Sequence, residues 1–217
     1  MKLNKSYLAI ICIFVIFGNA NILCDATNNK IDDSKAISIL SKYGIVDDSI
    51  ENEVSRQACI AIITKAVGIT PKMVEAFNAL LSYPIYVDYY DIDYNYRGYV
   101  VGAHGQKIAL GEPSNRDLTF FYPNRNTTLK EAVAFVMRYL EDCSTNISES
   151  FERAKEIELI KKTDEFYEKG DSIISPDELY IIVHRMLYKN FYKGFYTDSE
   201  ETRTKTYLEL LDENFNQ

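Results

Sequence analysis

The sequence has no tryptophan, only two histidines and only four cysteines in 217 residues. With His104 and His184 alone there is no H-E-x-x-H motif. G-x-S-x-G and any recognisable Cys-His setting are also missing, so the usual zinc-protease, serine-hydrolase and cysteine-nucleophile chemistries lack their residues. Cys12, Cys24, Cys59 and Cys143 show no C-x-x-C spacing, which argues against both a zinc site and a disulfide framework. Positive charge is scarce too, with 24 Lys plus Arg against 32 Asp plus Glu and a formal charge of −8. A chain so charged repels phosphate backbones, which excludes nucleic acid as an expected partner. Asp88, Asp91 and Asp93 stand close together, but no D-x-[DN]-x-[DN]-G loop with a closing glutamate frames them as a calcium site. The reading is of a non-catalytic protein with no metal and no cofactor.

Long apolar runs are absent except near the start. Lys2 and Lys5 precede the run Tyr7 to Phe17, and Gly18-Asn19-Ala20 supplies small residues for cleavage, the layout of a secretory signal peptide over 1–20. Its removal takes away two lysines and no acid, which moves the charge to −10. A run of about 11 residues is too short to span a bilayer as a helix, so the mature chain is not expected to cross a membrane. Ile22-Leu23-Cys24 lacks the small residue that normally precedes a lipidated cysteine. Residues 25–33 are polar, and 21–33 read as a flexible leader.

What is present is repetition. Ala36, Ile37, Leu40 and Tyr43 recur at helical spacing up to Gly44, and Ser55 caps a second helix bearing Cys59, Ile60, Ile62, Ile63 and Ala66 before Gly68. The same phrase returns with Tyr99, Val100, Ala103 and Ile108, a loop, and a helix capped by Thr128. It returns again with Ala154, Ile157 and Ile160, a loop, and a helix capped by Ser175. Glu131 and Glu178 fall three residues after the hydroxyl and complete capping boxes, and Pro176 suits a first helical position. The predicted units are 34–82, 83–143 and 144–197, followed by a tail at 198–217 whose Tyr207, Leu208, Leu210 and Leu211 suit one last amphipathic helix. The fold class is mainly α.

The second unit carries Tyr89-Tyr90-Asp91-Ile92, then Ile108-Ala109-Leu110-Gly111 with Lys107 ahead of it. Phe121-Tyr122-Pro123-Asn124 then leads to Asn126-Thr127-Thr128 and Glu131-Ala132. In that order these resemble the S-layer homology (SLH) family: its aromatic-x-Asp-aliphatic opening, its Gly-Ile-x-x-Gly turn and its Phe-x-Pro-Asn stretch running into a Thr-Arg-x-Glu helix start. The first unit matches through Gly44-Ile45-Val46 and Ser55-Arg56, with Ala58 for the glutamate. The third matches through Ala154, Leu159-Ile160, Ser175 and Glu178, with Pro176 for the arginine. The resemblance implies three helix-loop-helix repeats in a pseudo-threefold bundle with long loops, on a protein secreted to the cell wall or surface of a bacterium, Gram-positive above all. It further implies a non-catalytic role in binding the secondary cell-wall polysaccharide, pyruvylated sugars included.

On that resemblance the glycan-binding residues are Arg56, Ser55, Thr128, Glu131, Ser175 and Glu178, with Tyr96 and Tyr99 replacing the family's missing tryptophan as stacking faces. Only the first repeat keeps the motif arginine, since Leu129 and Pro176 occupy the other two positions. For each hydroxyl and glutamate, a helix cap and nothing more is the competing reading. The tyrosines between 83 and 99 suit either packing between repeats or a binding surface. The alternative function is therefore a protein-interaction module of the envelope that has lost glycan binding and docks a partner through tyrosine.

Overall fold

The helical periodicity is realised as nine α-helices among the described residues of the computed structural model, which are 31–80, 84–114, 118–141 and 146–215. They are α1 (Ala36–Lys42), α2 (Arg56–Ala66), α3 (Pro71–Leu80), α4 (Tyr94–Gly105), α5 (Leu129–Leu140), α6 (Ile147–Glu156), α7 (Pro176–Leu187), α8 (Glu200–Arg203) and α9 (Tyr207–Phe215). All nine belong to one unit of the chain, Asp32–Gln217. Among the described residues only isolated β-bridges occur and no strand. The protein is mainly α. The expected signal peptide, leader residues 21–30, Cys24, Tyr83 and Cys143 lie outside the described residues.

Local chemistry sets the helix ends. Ser55, Thr128 and Ser175 each accept from the backbone N–H three residues on, and Glu131 and Glu178 return the bond to the cap residue. Such a cap is worth about 1 kcal/mol. The partner helices stop in one repeated way. Gly44, Lys107 and Glu158 take left-handed backbone at φ 65°, 60° and 57°. The next residue, Ile45, Ile108 or Leu159, is fully buried and donates its N–H back to Leu40, Ala103 or Ala154. This is the hydrogen bond of a Schellman stop, which hides one aliphatic side chain at each helix end. At two of the three stops a β-carbon bears the left-handed strain that glycine avoids.

Helices α2, α5 and α7 touch one another, and each carries an outer helix: α4 on α2, α6 on α5 and α1 on α7. Each outer helix thus packs on the capped helix of a different segment. Isolated bridges Ser55 to Asn126 and Thr128 to Ile173 tie the helix starts together. The first amides of α2, at Arg56 and Gln57, donate to the carbonyls of Arg125 and Pro123, and those of α5, at Leu129 and Lys130, to Ser172 and Gly170. Pro176, first in α7, has no N–H to give.

Helix α3, which the repeat pattern does not contain, runs against α4, where Gly98 lets the two backbones approach at the Val74 carbonyl. The aromatic segment after α7 docks Phe195 on Gly102 and Tyr196 on Gly68. The tail folds as α8 and α9, with Tyr207 buried and its hydroxyl donating to the carbonyls of Tyr139 (2.7 Å) and Lys193 (2.8 Å).

Candidate functional site

The loop 46–53 and the start of α4 enclose two adjoining clefts of about 590 and 450 Å³ that share Ser49 and Tyr96. One is closed by Glu51, Glu53 and Ser55, the other by Asp48, Lys65, Asp93 and Tyr99. Tyr96 and Tyr99 are three residues apart on α4, so helical periodicity turns both rings to the same side. The dividing wall is held by hydrogen bonds. Tyr96 donates to Asp47 Oδ2 (2.7 Å), Ser49 donates its hydroxyl to Asp47 Oδ1 (2.6 Å), and the Tyr180 hydroxyl accepts from the Asp47 N–H (3.1 Å).

Burial would raise the Asp47 carboxyl, but the hydrogen bonds from Ser49 and Tyr96, with Lys65 nearby, hold it below the usual carboxylate range. The same surroundings push the Tyr96 phenol up, through burial first and then the Asp47 charge, and so too for Tyr99. Both phenols are therefore neutral donors at neutral pH. Lys65 Nζ lies 5.6 Å from the Tyr99 ring centre. It is the one basic group among the lining residues, against Asp47, Asp48, Glu51, Glu53 and Asp93. The clefts offer flat rings and many acceptors, a set suited to the hydroxyls of a sugar and unsuited to a carboxylate.

Of the residues expected to bind glycan, Ser55, Tyr96 and Tyr99 come together here. Arg56 does not. Its side chain is 7 % exposed and lies between the rings of Phe121 (5.5 Å) and Phe135 (4.9 Å), and Nη1 donates to Glu131 Oε1 at 2.9 Å. Arg125 pairs with the same carboxylate oxygen, while Glu131 Oε2 accepts from the Thr128 N–H (3.0 Å). Arg56, Thr128 and Glu131 therefore form one largely buried cluster that ties α2 to α5. Ser175 and Glu178 form the capping box of α7, at neither cleft.

Several residues that the repeat pattern does not single out organise this region. Gln57 accepts from the Asp93 N–H (2.9 Å) and donates to Asn124 (2.9 Å), joining α4 to the loop before α5. Ten residues after each cap stands a base, Lys65, Arg138 or Arg185. Arg138 and Arg185 donate to the carbonyls of Ile108 (2.6 Å) and Leu159 (3.0 Å), the residues just after the left-handed turns. Lys65 is turned to the cleft instead. That spacing is readable in the aligned segments. Cys59 is buried, which pushes its thiol up to about 12 and leaves it unreactive.

Among the described residues no group of His, Cys, Asp and Glu could hold a metal ion, and no helix is long and apolar enough to cross a membrane. No family model and no curated protein matches the chain.

Proposed function

We propose that the chain is a secreted, non-catalytic cell-envelope protein whose three SLH-like repeats, related by a pseudo-threefold arrangement of α2, α5 and α7, bind a cell-wall polysaccharide. The carrying observation is the paired cleft beside Tyr96 and Tyr99, with Asp47 and Ser49 fixing the ring that divides it. Stacking of a sugar face on tyrosine supplies short-range attraction, and the surrounding carboxylates accept sugar hydroxyls. The repeated left-handed stop and the cyclic packing of outer on inner helices support the repeat arrangement.

The test is co-sedimentation of the mature protein with purified Gram-positive walls, before and after chemical removal of the secondary polysaccharide. Pelleting that disappears with the polysaccharide, and weakens roughly tenfold for Tyr96→Ala, is the expected result; a stacked ring with its hydrogen bond is worth about 1–2 kcal/mol. Equal pelleting on stripped walls, or none on either, refutes the glycan reading. Pelleting lost only when wall proteins are digested favours the protein-docking alternative.

A further inference from the structure

Helix α7 holds both ends of the segment that leads into the cleft wall. At one end the short turn Asp33–Lys35 meets α7 through Asp33, whose carboxylate accepts from Arg185 Nε (3.1 Å) and Nη2 (2.8 Å) and from Lys161 (3.0 Å). At the other, the Tyr180 hydroxyl accepts from the Asp47 N–H (3.1 Å) and donates to the Asp47 carbonyl (3.3 Å). Between them α1 packs on α7, stops at Gly44 and passes into the loop 46–53 that lines both clefts. Tyr180 and His184 are four residues apart on α7 and so share a face.

His184 is fully buried, and neither ring nitrogen has a hydrogen-bond partner among the described residues. Nδ1 stands 3.7 Å from Asp33 Oδ1, too far for a hydrogen bond, and the ring meets Tyr188 edge to face at 5.2 Å. The charged groups around it are Asp33 on the turn, Lys161 after α6 and Arg185 on its own helix, with Asp164 joined through Arg185 (2.6 Å). Helices α1, α2, α5 and α9 also pack on α7, but among the described residues they bring no acid into ion-pair reach of the ring. Two carboxylates and two cations already balance. A proton on His184 adds an uncompensated buried charge, and burial accordingly holds the imidazole below 6.5 despite the pull of Asp33.

We propose that His184 is a proton-operated clasp: protonation of its ring favours an open state in which segment 33–47 leaves α7, Asp47 parts from Tyr180 and the cleft wall beside Tyr96 is lost. In the open state the ring reaches water and takes its ordinary affinity for the proton. Asp33, Asp47 and Asp212, which tie the segment down, all lie below the usual 3.8 and stay ionised while the histidine titrates. The clasp stands on the fold alone; its effect on wall binding rests on the polysaccharide reading, which an experiment without walls does not touch.

The test is amide hydrogen exchange of the mature protein, read by NMR at about pH 7.5 and 5.5 and corrected for the intrinsic pH dependence of exchange, on wild type and His184→Gln. An open state whose ring titrates at 6.5 gains a factor of roughly ten between those values. The amides of Ile45, Asp47 and Ile50 donate to Leu40, Tyr180 and Asp47. They are expected to exchange together, more readily than Phe135 of α5, and to open about tenfold more often at the lower pH in wild type but not in His184→Gln. Exchange of the three only in step with Phe135, an equal pH response in both proteins, or a response of Ile45 without Asp47 and Ile50 overturns the clasp. Should His184→Gln fail to fold, titration of the two histidine rings in the wild type decides: a native His184 ring that titrates below 6.5 supports the clasp, and one that titrates at or above 6.5 overturns it.

Discussion

The buried cluster around Glu131 makes an asymmetric prediction about stability. In Arg56→Ala the guanidinium leaves a site where its side chain is 7 % exposed, and one partner of a buried pair disappears. Removing one partner commonly costs about 3–5 kcal/mol because the other charge is stranded. Here the stranding is partial, since Glu131 keeps Arg125 and the Thr128 N–H. Two cation–π contacts, at 4.9 and 5.5 Å, are lost as well, each worth roughly 0.5–2 kcal/mol. The net expectation is a loss of about 2–4 kcal/mol, which for a protein of this size lowers Tm by about 2–4 °C per kcal/mol.

Glu131→Ala must be worse. It strands Arg56, whose Nε already lacks a partner, between two phenyl rings, and it also dismantles the α5 capping box. Urea unfolding followed by circular dichroism measures both variants, with Arg56→Met as the comparison that keeps volume and removes charge. A loss under about 1 kcal/mol for Arg56→Ala, at unchanged m-value, would refute the account. So would the reverse order of the two alanine variants. Folded Arg56→Ala should bind walls as wild type does, since the guanidinium reaches neither cleft.

Replacing Lys107 or Glu158 by glycine relieves left-handed strain and should raise stability by up to about 1 kcal/mol per site, read as Tm by calorimetry, whereas Gly44→Ala should lower it by a similar amount; no change at any of the three sites would sink the shared-turn account. Acid should loosen the contact between α7 and the short turn Asp33–Lys35 that precedes α1 in two windows. The buried His184 ring is held below its ordinary 6.5 chiefly by burial, so the unfolded chain takes up the proton first and stability falls as pH drops below that value. Asp33 is raised by burial but lowered more by hydrogen bonds from Arg185 (2.8 Å) and Lys161 (3.0 Å). Its stabilisation is present above pH 3.8 and is lost as pH falls through its depressed value. Urea midpoints between about pH 7.5 and 5, the range that brackets the histidine titration, should slope for wild type and flatten for His184→Gln; equal slopes would remove His184 from the account.

The helices and their starts are legible in the sequence because capping is local: a hydroxyl, a glutamate three residues on and a glycine stop act within one turn of chain. The tail helix α9 is legible from its apolar stripe. Helix α3 is not, because Pro71–Leu80 falls outside the repeated phrase and owes its place to the close approach that Gly98 permits. The burial of Arg56 runs against the expectation that a motif residue at a helix start faces outward. Its signal lies in its own helix, where Cys-Ile-Ala-Ile-Ile is apolar on every side and so marks α2 as central; polar residues at the start of such a helix are buried with it.

Under the proposed wall-binding role, charge limits how the protein can recognise a polymer. A net −8 chain has no favourable long-range field toward an acidic glycan, and its arginines are mostly consumed in pairs that hold helices together. Affinity then has to come from contacts shorter than a Debye length, where a ring face or one fixed guanidinium outweighs the mean potential. The placement of tyrosine follows that logic. Tyr86, Tyr139 and Tyr207 are buried and act as core, whereas Tyr90 and Tyr94 are the most exposed tyrosines among the described residues and the half-buried Tyr96 and Tyr99 line a cleft. Tyrosine thus serves as packing and, in the proposed function, as the contact surface. Helix α4 carries Tyr96 and Tyr99 on one side, and Tyr94 and Arg97 on the other.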